Sequence, residues 1–410
     1  VDILCGPSEL HRMPGLIDEV STQREPAIAL TGRLRDHSTP VRSATDHDDL
    51  ESLDSGRAFG LSGHVATPRV FGSHQAYVRI TRGCNKYCSF CVVPFTRGPE
   101  VHRPPDQVVE EARRLARAGV MEVTLLGQTV NHYEYVDDRG RRTTFAELLA
   151  RVHDEVPELP RLRFVTSFPR DFTDDALDVM AASPRICRYL HVPAQSGSNT
   201  VLKRMNRGYT VEQYLDLLDR ARRRMPDISI AGDMIVGFSG ETEQDFEASL
   251  ALLRHARYKN CFIFKYSSRP GTHADDRFPD DVSDLEKRRR NNEMLAVQAE
   301  VNLANHRELL GQVVDVLVEG PSKRQLRAQE SEQSRGEEID WALSDSHQLV
   351  GRTPGDQIVH FTASPKLIGR LVQVRIEAAT AYSLQGDLVD YPAEPPVRID
   401  REISLAVLPS

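Results

Sequence analysis

From residue 77 to residue 266, short apolar runs alternate with amphipathic helical patterns, and that alternation leaves few folds open. The strand-like runs fall at 77–81, 122–126, 163–167, 189–193, 229–236 and 261–266. Between them, 106–118 reads as a helix, with Asp106 as N-cap and Gly119 as the C-terminal stop. Helices at 210–224 and 242–255 follow the same logic, and Glu241 to Asp245 put acidic groups where the second one's dipole favours them. A strand–helix–strand series builds a parallel sheet with right-handed crossovers. Six such units are fewer than a closed eightfold barrel needs. The expected class is therefore α/β, an open partial (β/α)6 barrel of TIM-like form, with ligands at the C-terminal ends of its strands.

The flanks differ in character. A long polar helix, 286–307, leads into an all-β pattern at 313–318, 348–350, 358–361 and 367–378, broken by glycines and prolines. A small all-β barrel of oligonucleotide-binding type suits these strands. At the front, 1–24 reads as a strand, a turn at Gly6-Pro7 and a short helix around Leu16, Ile17 and Val20. Residues 25–75 are polar and lack an apolar period, as a linker or insertion would. The expected division is 1–24, a linker at 25–75, the partial barrel at 76–308, the small barrel at 309–392 and a tail at 393–410.

With 40% hydrophobic and 27% charged residues in 410, the chain has an ordinary globular composition. No run is long enough for a membrane span and no signal-peptide pattern opens it, so the expectation is a cytoplasmic protein without a membrane partner. A net charge of −8 excludes a surface coated in positive charge, though not a local nucleic-acid site. The basic clusters 220–224 and 287–290 read as solvated helix faces.

Three of the six cysteines, Cys84, Cys88 and Cys91, crowd into a Gly-led loop after the first barrel strand. Cys5, Cys187 and Cys261 are scattered among apolar neighbours, as small buried hydrophobes are. An iron–sulfur cubane usually takes four thiolates. A C-x3-C-x2-C run supplies three, and leaves one iron open to the amino and carboxylate groups of an amino acid. The alternative is a zinc site completed by His64, His74 or His102, although x3 spacing is unusual for zinc. Four strand ends look ligand-facing: Gly127-Gln128, Thr166-Ser167, His191 to Gly197, and Asp233 to Thr242.

These strings resemble the radical S-adenosylmethionine (SAM) methylthiotransferases, most closely the MiaB type that makes tRNA-2-methylthio-N6-dimethylallyladenosine. The resemblance runs from about Tyr77 to the C-terminus. It rests on Arg82-Gly83-Cys84, Cys88, Cys91-Val92-Val93-Pro94, Leu125-Leu126-Gly127-Gln128 and Gln195-Ser196-Gly197-Ser198. It continues through Met205-Asn206-Arg207-Gly208-Tyr209-Thr210, Ile235-Val236-Gly237-Phe238 and Arg269-Pro270-Gly271-Thr272. Family members end in a TRAM barrel that binds tRNA, which 309–392 fits.

The resemblance implies a [4Fe–4S] cluster on Cys84, Cys88 and Cys91, SAM on the open iron, and a 5′-deoxyadenosyl radical. That radical attacks C2 of N6-isopentenyladenosine beside the tRNA anticodon, where a methylthio group is installed. Phe90 and Val92 are expected at the adenine, Gly127 and Gln128 near the methionyl group, and Ser167, Gln195, Asp233 and Ile235 on the ribose side. Arg97, Lys203, Arg204 and Arg207 are candidates for the SAM carboxylate or RNA phosphates, and Lys323, Arg324 and Arg327 for phosphates on the small barrel. The implied partners are tRNA and an electron donor such as flavodoxin or ferredoxin, with the chain acting as a monomer. Members also carry an N-terminal domain whose three cysteines hold a second [4Fe–4S] cluster. Only the tail of that domain is matched here and Cys5 stands alone, so one cluster and SAM cleavage are expected of this chain, with sulfur insertion depending on the missing ligands. The competing readings are a tRNA-binding protein with a structural metal, and a radical enzyme for another tRNA adenosine or a protein substrate.

Overall fold

The computed structural model describes residues 3–5, 13–23, 27–29, 74–326 and 346–390. Six parallel strands make the expected open barrel: β1 (Gln75–Arg79), β2 (Glu122–Leu126), β3 (Arg161–Val165), β4 (Tyr189–His191), β5 (Ser229–Val236) and β6 (Asn260–Lys265). They pair as β1-β2-β3 and β4-β5-β6. A bridge from Leu162 to Ile186 and a bond from the Ser167 amide to the His191 carbonyl (3.0 Å) join the two halves.

Helices cover the outer face because their apolar residues recur on one side. In Pro105–Arg117, Val108, Val109, Ala112 and Leu115 are buried, and the packed core continues through Val123, Leu125, Leu148, Leu149 and Phe164. Thr210 and Thr242 close capping boxes with Gln213 and Asp245, which fixes where Val211–Arg224 and Glu243–Ala256 start. Asp106 is not a cap: Pro104 holds that position and Pro105 opens the helix, its missing N–H costing nothing there. Gly119 does end this helix, at φ 89°.

The second body is a closed five-stranded barrel in the order β7-β8-β9-β11-β10, formed by β7 (Val313–Pro321), β8 (His347–Arg352), β9 (Ile358–Ala363), β10 (Leu371–Ala379) and β11 (Leu384–Asp390). The strand expected at 367–378 starts at Leu371, after a 3₁₀ turn at Pro365–Leu367, and β11 was not foreseen. This barrel docks on the N-terminal ends of the large barrel's strands. Arg161 donates to the carbonyls of Arg352 (2.8 Å) and Asp315 (3.1 Å), Lys259 pairs with Asp356, and Gln357 reaches Ser229 (2.9 Å).

Beneath that interface Arg163 makes a two-pronged pair with Glu122, at 3.1 Å on each prong, and both side chains are buried. The third strand starts at Arg161, two residues before the expected 163, because these arginines sit in the sheet rather than ending it. The basic cluster 287–290 likewise departs from a solvated face. Lys287 and Arg290 are buried on helix Asp284–Arg307, held by Asp280 (2.6 Å) and Glu241 (2.8 Å). At the front, Ile3–Cys5 pairs in parallel with Ala27–Ala29, so the expected linker opens on a strand. The rest of that stretch up to residue 73, and the tail, lie outside the described residues.

Candidate cluster and cofactor site

The cysteine loop leaves the C-terminal end of β1 and is anchored by backbone bonds. The Cys84 amide donates to the Gly98 carbonyl (3.1 Å), the Cys91 amide to the Cys88 carbonyl (3.0 Å) and the Ser89 amide to the Met205 carbonyl (3.0 Å). Gly83 sits at φ 77°, where a Cβ would run into the Pro99 carbonyl. Asn206 holds the Tyr87 carbonyl (2.9 Å), and Lys86 pairs with Asp171 (2.6 Å). The loop is therefore fixed from both halves of the barrel. All three thiols are free; Cys88 is buried, and Cys84 and Cys91 are partly exposed. Burial pushes the Cys84 and Cys91 thiols up.

Among the described residues, no three or more His, Cys, Asp or Glu side chains converge as a site for a single ion. A cubane asks for something different, since each thiolate takes its own iron and the three stand apart. The zinc alternative fares poorly on placement. His74 precedes β1, at the far end of the strand from the cysteine loop, against Gly369 of the small barrel. His102 packs edge-on against Tyr133, and His64 lies outside the described residues.

The remaining predicted residues gather on the same end. Phe90 lies in the loop, its ring 6.4 Å from Phe238, and Val92 precedes helix Val93–Arg97. Gly127 follows β2 so tightly that a Cβ would overlap the Thr81 hydroxyl, and Gln128 is next to it. Ser167 is buried, and its hydroxyl has no hydrogen-bond partner among the described residues. Gln195 is held at φ 75° by bonds to Asp233 (2.8 Å) and Ile235 (2.9 Å) along the backbone. The unpartnered buried Ser167 hydroxyl is what a small polar ligand at these strand ends would use, whereas the room left by Gly127 is taken up by Thr81.

Sequence reasoning missed two features. His191 Nε2 meets Asp233 Oδ1 at 3.1 Å, which orients that carboxylate. Arg207, expected at a carboxylate or a phosphate, is buried and lies 3.1 Å from Cys88 Sγ. Both were present in the strings, but only the fold brings them to their partners. Arg97, Lys203 and Arg204 are exposed on the same side, and Lys203 and Arg204 end helix Asn199–Arg204. On the small barrel Lys323 and Arg324 are exposed just past β7, whereas Arg327 lies outside the described residues.

Residues 78–253 match the Radical SAM superfamily and residues 342–389 the TRAM domain. The chain is 42% identical over 388 residues to a tRNA-2-methylthio-N(6)-dimethylallyladenosine synthase of Rhodopirellula baltica, covering 94% of this chain and 75% of that protein. It is 38% identical to the protein of that name from Moorella thermoacetica, covering 95% and 77%. Among solved structures, a radical S-adenosylmethionine methyltransferase from Kitasatospora setae aligns with 50% of this chain and 38% of its own, at 22% identity and a TM-score of 0.41.

Proposed function

The chain belongs to the tRNA-2-methylthio-N6-dimethylallyladenosine synthase family of radical SAM methylthiotransferases, and from this we propose how its residues divide the work. It is a transferase that places a methylthio group on C2 of N6-isopentenyladenosine in tRNA. The observation that carries this is 42% identity over 94% of the chain, spanning both the radical SAM and TRAM regions.

Cys84, Cys88 and Cys91 would hold a [4Fe–4S] cluster. Held there with SAM on its open iron, it would supply one electron for reductive cleavage of SAM to methionine and a 5′-deoxyadenosyl radical. Gly127 lets the backbone at the end of β2 come close to the methionyl part, and Gln128 beside it offers a donor and an acceptor. The free Ser167 hydroxyl, Gln195 and the Asp233 carboxylate oriented by His191 suit a ribose. Phe90 and Val92 supply apolar surface for an adenine, and Ile235 an apolar wall on the ribose side. Asp233 pairs with Phe262 and Ile235 with Phe264 across β5 and β6, so these exposed aromatics share the inner face with the cofactor residues. They suit the flat, prenylated base of the substrate. Exposed Lys323 and Arg324 suit its phosphates.

The sulfur-donating second cluster belongs, by family resemblance, to an N-terminal domain, and this chain spans 75% of the length of its Rhodopirellula relative. Among the described residues no helix is long and apolar enough to cross a membrane. The cytoplasm is the proposed location because the tRNA substrate is there. A monomer reduced by flavodoxin or ferredoxin completes the reading. Mass spectrometry of tRNA from cells lacking the gene tests it. Loss of the 2-methylthio form with accumulation of N6-isopentenyladenosine is expected, and persistence of the methylthio form would refute the substrate assignment.

A further inference from the structure

We propose that Arg207 sets the reduction potential of the cluster by donating a charge-assisted hydrogen bond to Cys88 Sγ, a role that rests on the cluster assignment above. The Arg207 side chain is buried, and among the described residues none of its bonds goes to a carboxylate. It donates to Cys88 Sγ (3.1 Å), to the Pro193 carbonyl (2.9 Å) and to the Tyr209 hydroxyl (3.0 Å), and its guanidinium lies 4.5 Å from the centre of the Phe168 ring. Of the other buried arginines of this barrel, Arg103, Arg163 and Arg290 are matched by acids, Glu111, Glu122 and Glu241, while Arg161 donates to backbone carbonyls at the interface with the small barrel.

A buried cation without a counter-charge is costly. The anion available to Arg207 is the Cys88 thiolate that a bound cluster creates. The surroundings hold the fork in place. Tyr209 donates to the Ala194 carbonyl (2.8 Å), and Asn131 clamps Phe168 through both its amide (2.7 Å) and its carbonyl (2.9 Å). A fixed positive charge and a hydrogen bond at a ligand sulfur both favour the more negative, reduced cluster. Arg207 is thus a positioning and tuning residue, and its influence acts on the electron arriving from an external reductant.

The test is a redox titration of the reconstituted full chain without SAM, followed by electron paramagnetic resonance of the reduced cluster. At the potential where the wild type is half reduced, Arg207→Gln should show a reduced-to-oxidised ratio about tenfold lower, or about 59 mV for one electron. Arg207→Lys, keeping the charge, should recover part of that shift. Tyr209→Phe, which loosens the fork without touching the charge, should shift the potential slightly the same way. Should Arg207→Gln fail to take up iron, the smaller shifts in the other two decide. Unchanged potentials at full iron content would overturn the proposal, and weaker SAM binding in those same variants would give Arg207 to the substrate carboxylate instead. A wild type that takes up no cluster would refute the cluster assignment itself, not merely this role.

Discussion

At Gly127 the distance between the end of β2 and Thr81 is set by a missing methyl group. A Cβ there would meet the Thr81 hydroxyl, so the backbone after β2 must move before any side chain fits. Gly127→Ala should therefore fold, since the strain lies in a loop end, yet bind SAM at least about tenfold more weakly, equivalent to roughly 1.4 kcal/mol. Equilibrium dialysis of the reconstituted protein checks this, and unaltered affinity would remove Gly127 from the site. The residue scale is also where sequence reading is weakest for paired groups. Cys84, Cys88 and Cys91 were legible because their spacing is local. The partnership of Arg207 with Cys88 spans 119 positions, and no local pattern announces it.

At the scale of elements, the helices expected from 210 and 242 start one residue later, after their threonine caps, because a capping box is local chemistry. The cap expected at Asp106 and the start expected at 286 instead fall at Pro104 and Asp284. The start of β3 could not be read locally, because Arg161 and Arg163 are tolerated in a sheet only by partners brought from β2 and the small barrel. Removing one partner exposes that dependence. Glu122→Gln leaves Arg163 buried without its counter-charge and should cost about 3–5 kcal/mol in urea unfolding. A loss under about 1 kcal/mol would mean that the base of the barrel is wetter than its burial indicates. On the open side, β6 presents Phe262 and Phe264 at half exposure beside Asp233 and Ile235 of β5. If they stack the target base, Phe264→Ala should weaken binding of an anticodon stem-loop by about 1–3 kcal/mol while leaving SAM cleavage without RNA unchanged. Equal loss of both would point to a structural role.

For the whole molecule, the two barrels are joined at the end of the strands remote from the cysteine loop, through Arg161, Lys259 and Gln357. The division of labour follows: one end of the large barrel is spent on holding the small barrel, and the other is left to chemistry. Its core and order were legible in the alternation of strands and helices. The docking face was not, because Arg161, Lys259 and Gln357 form no local pattern and meet their partners only across the two barrels. The central claim is that the loop between β1 and helix Val93–Arg97 holds a cluster with an open iron, and anaerobic reconstitution with iron and sulfide tests it most directly. A brown protein with about four irons per chain, forming 5′-deoxyadenosine from SAM on reduction and losing both properties in Cys88→Ala but not in Cys261→Ala, is the predicted result. A colourless protein holding a single zinc, with no deoxyadenosine formed, would contradict it.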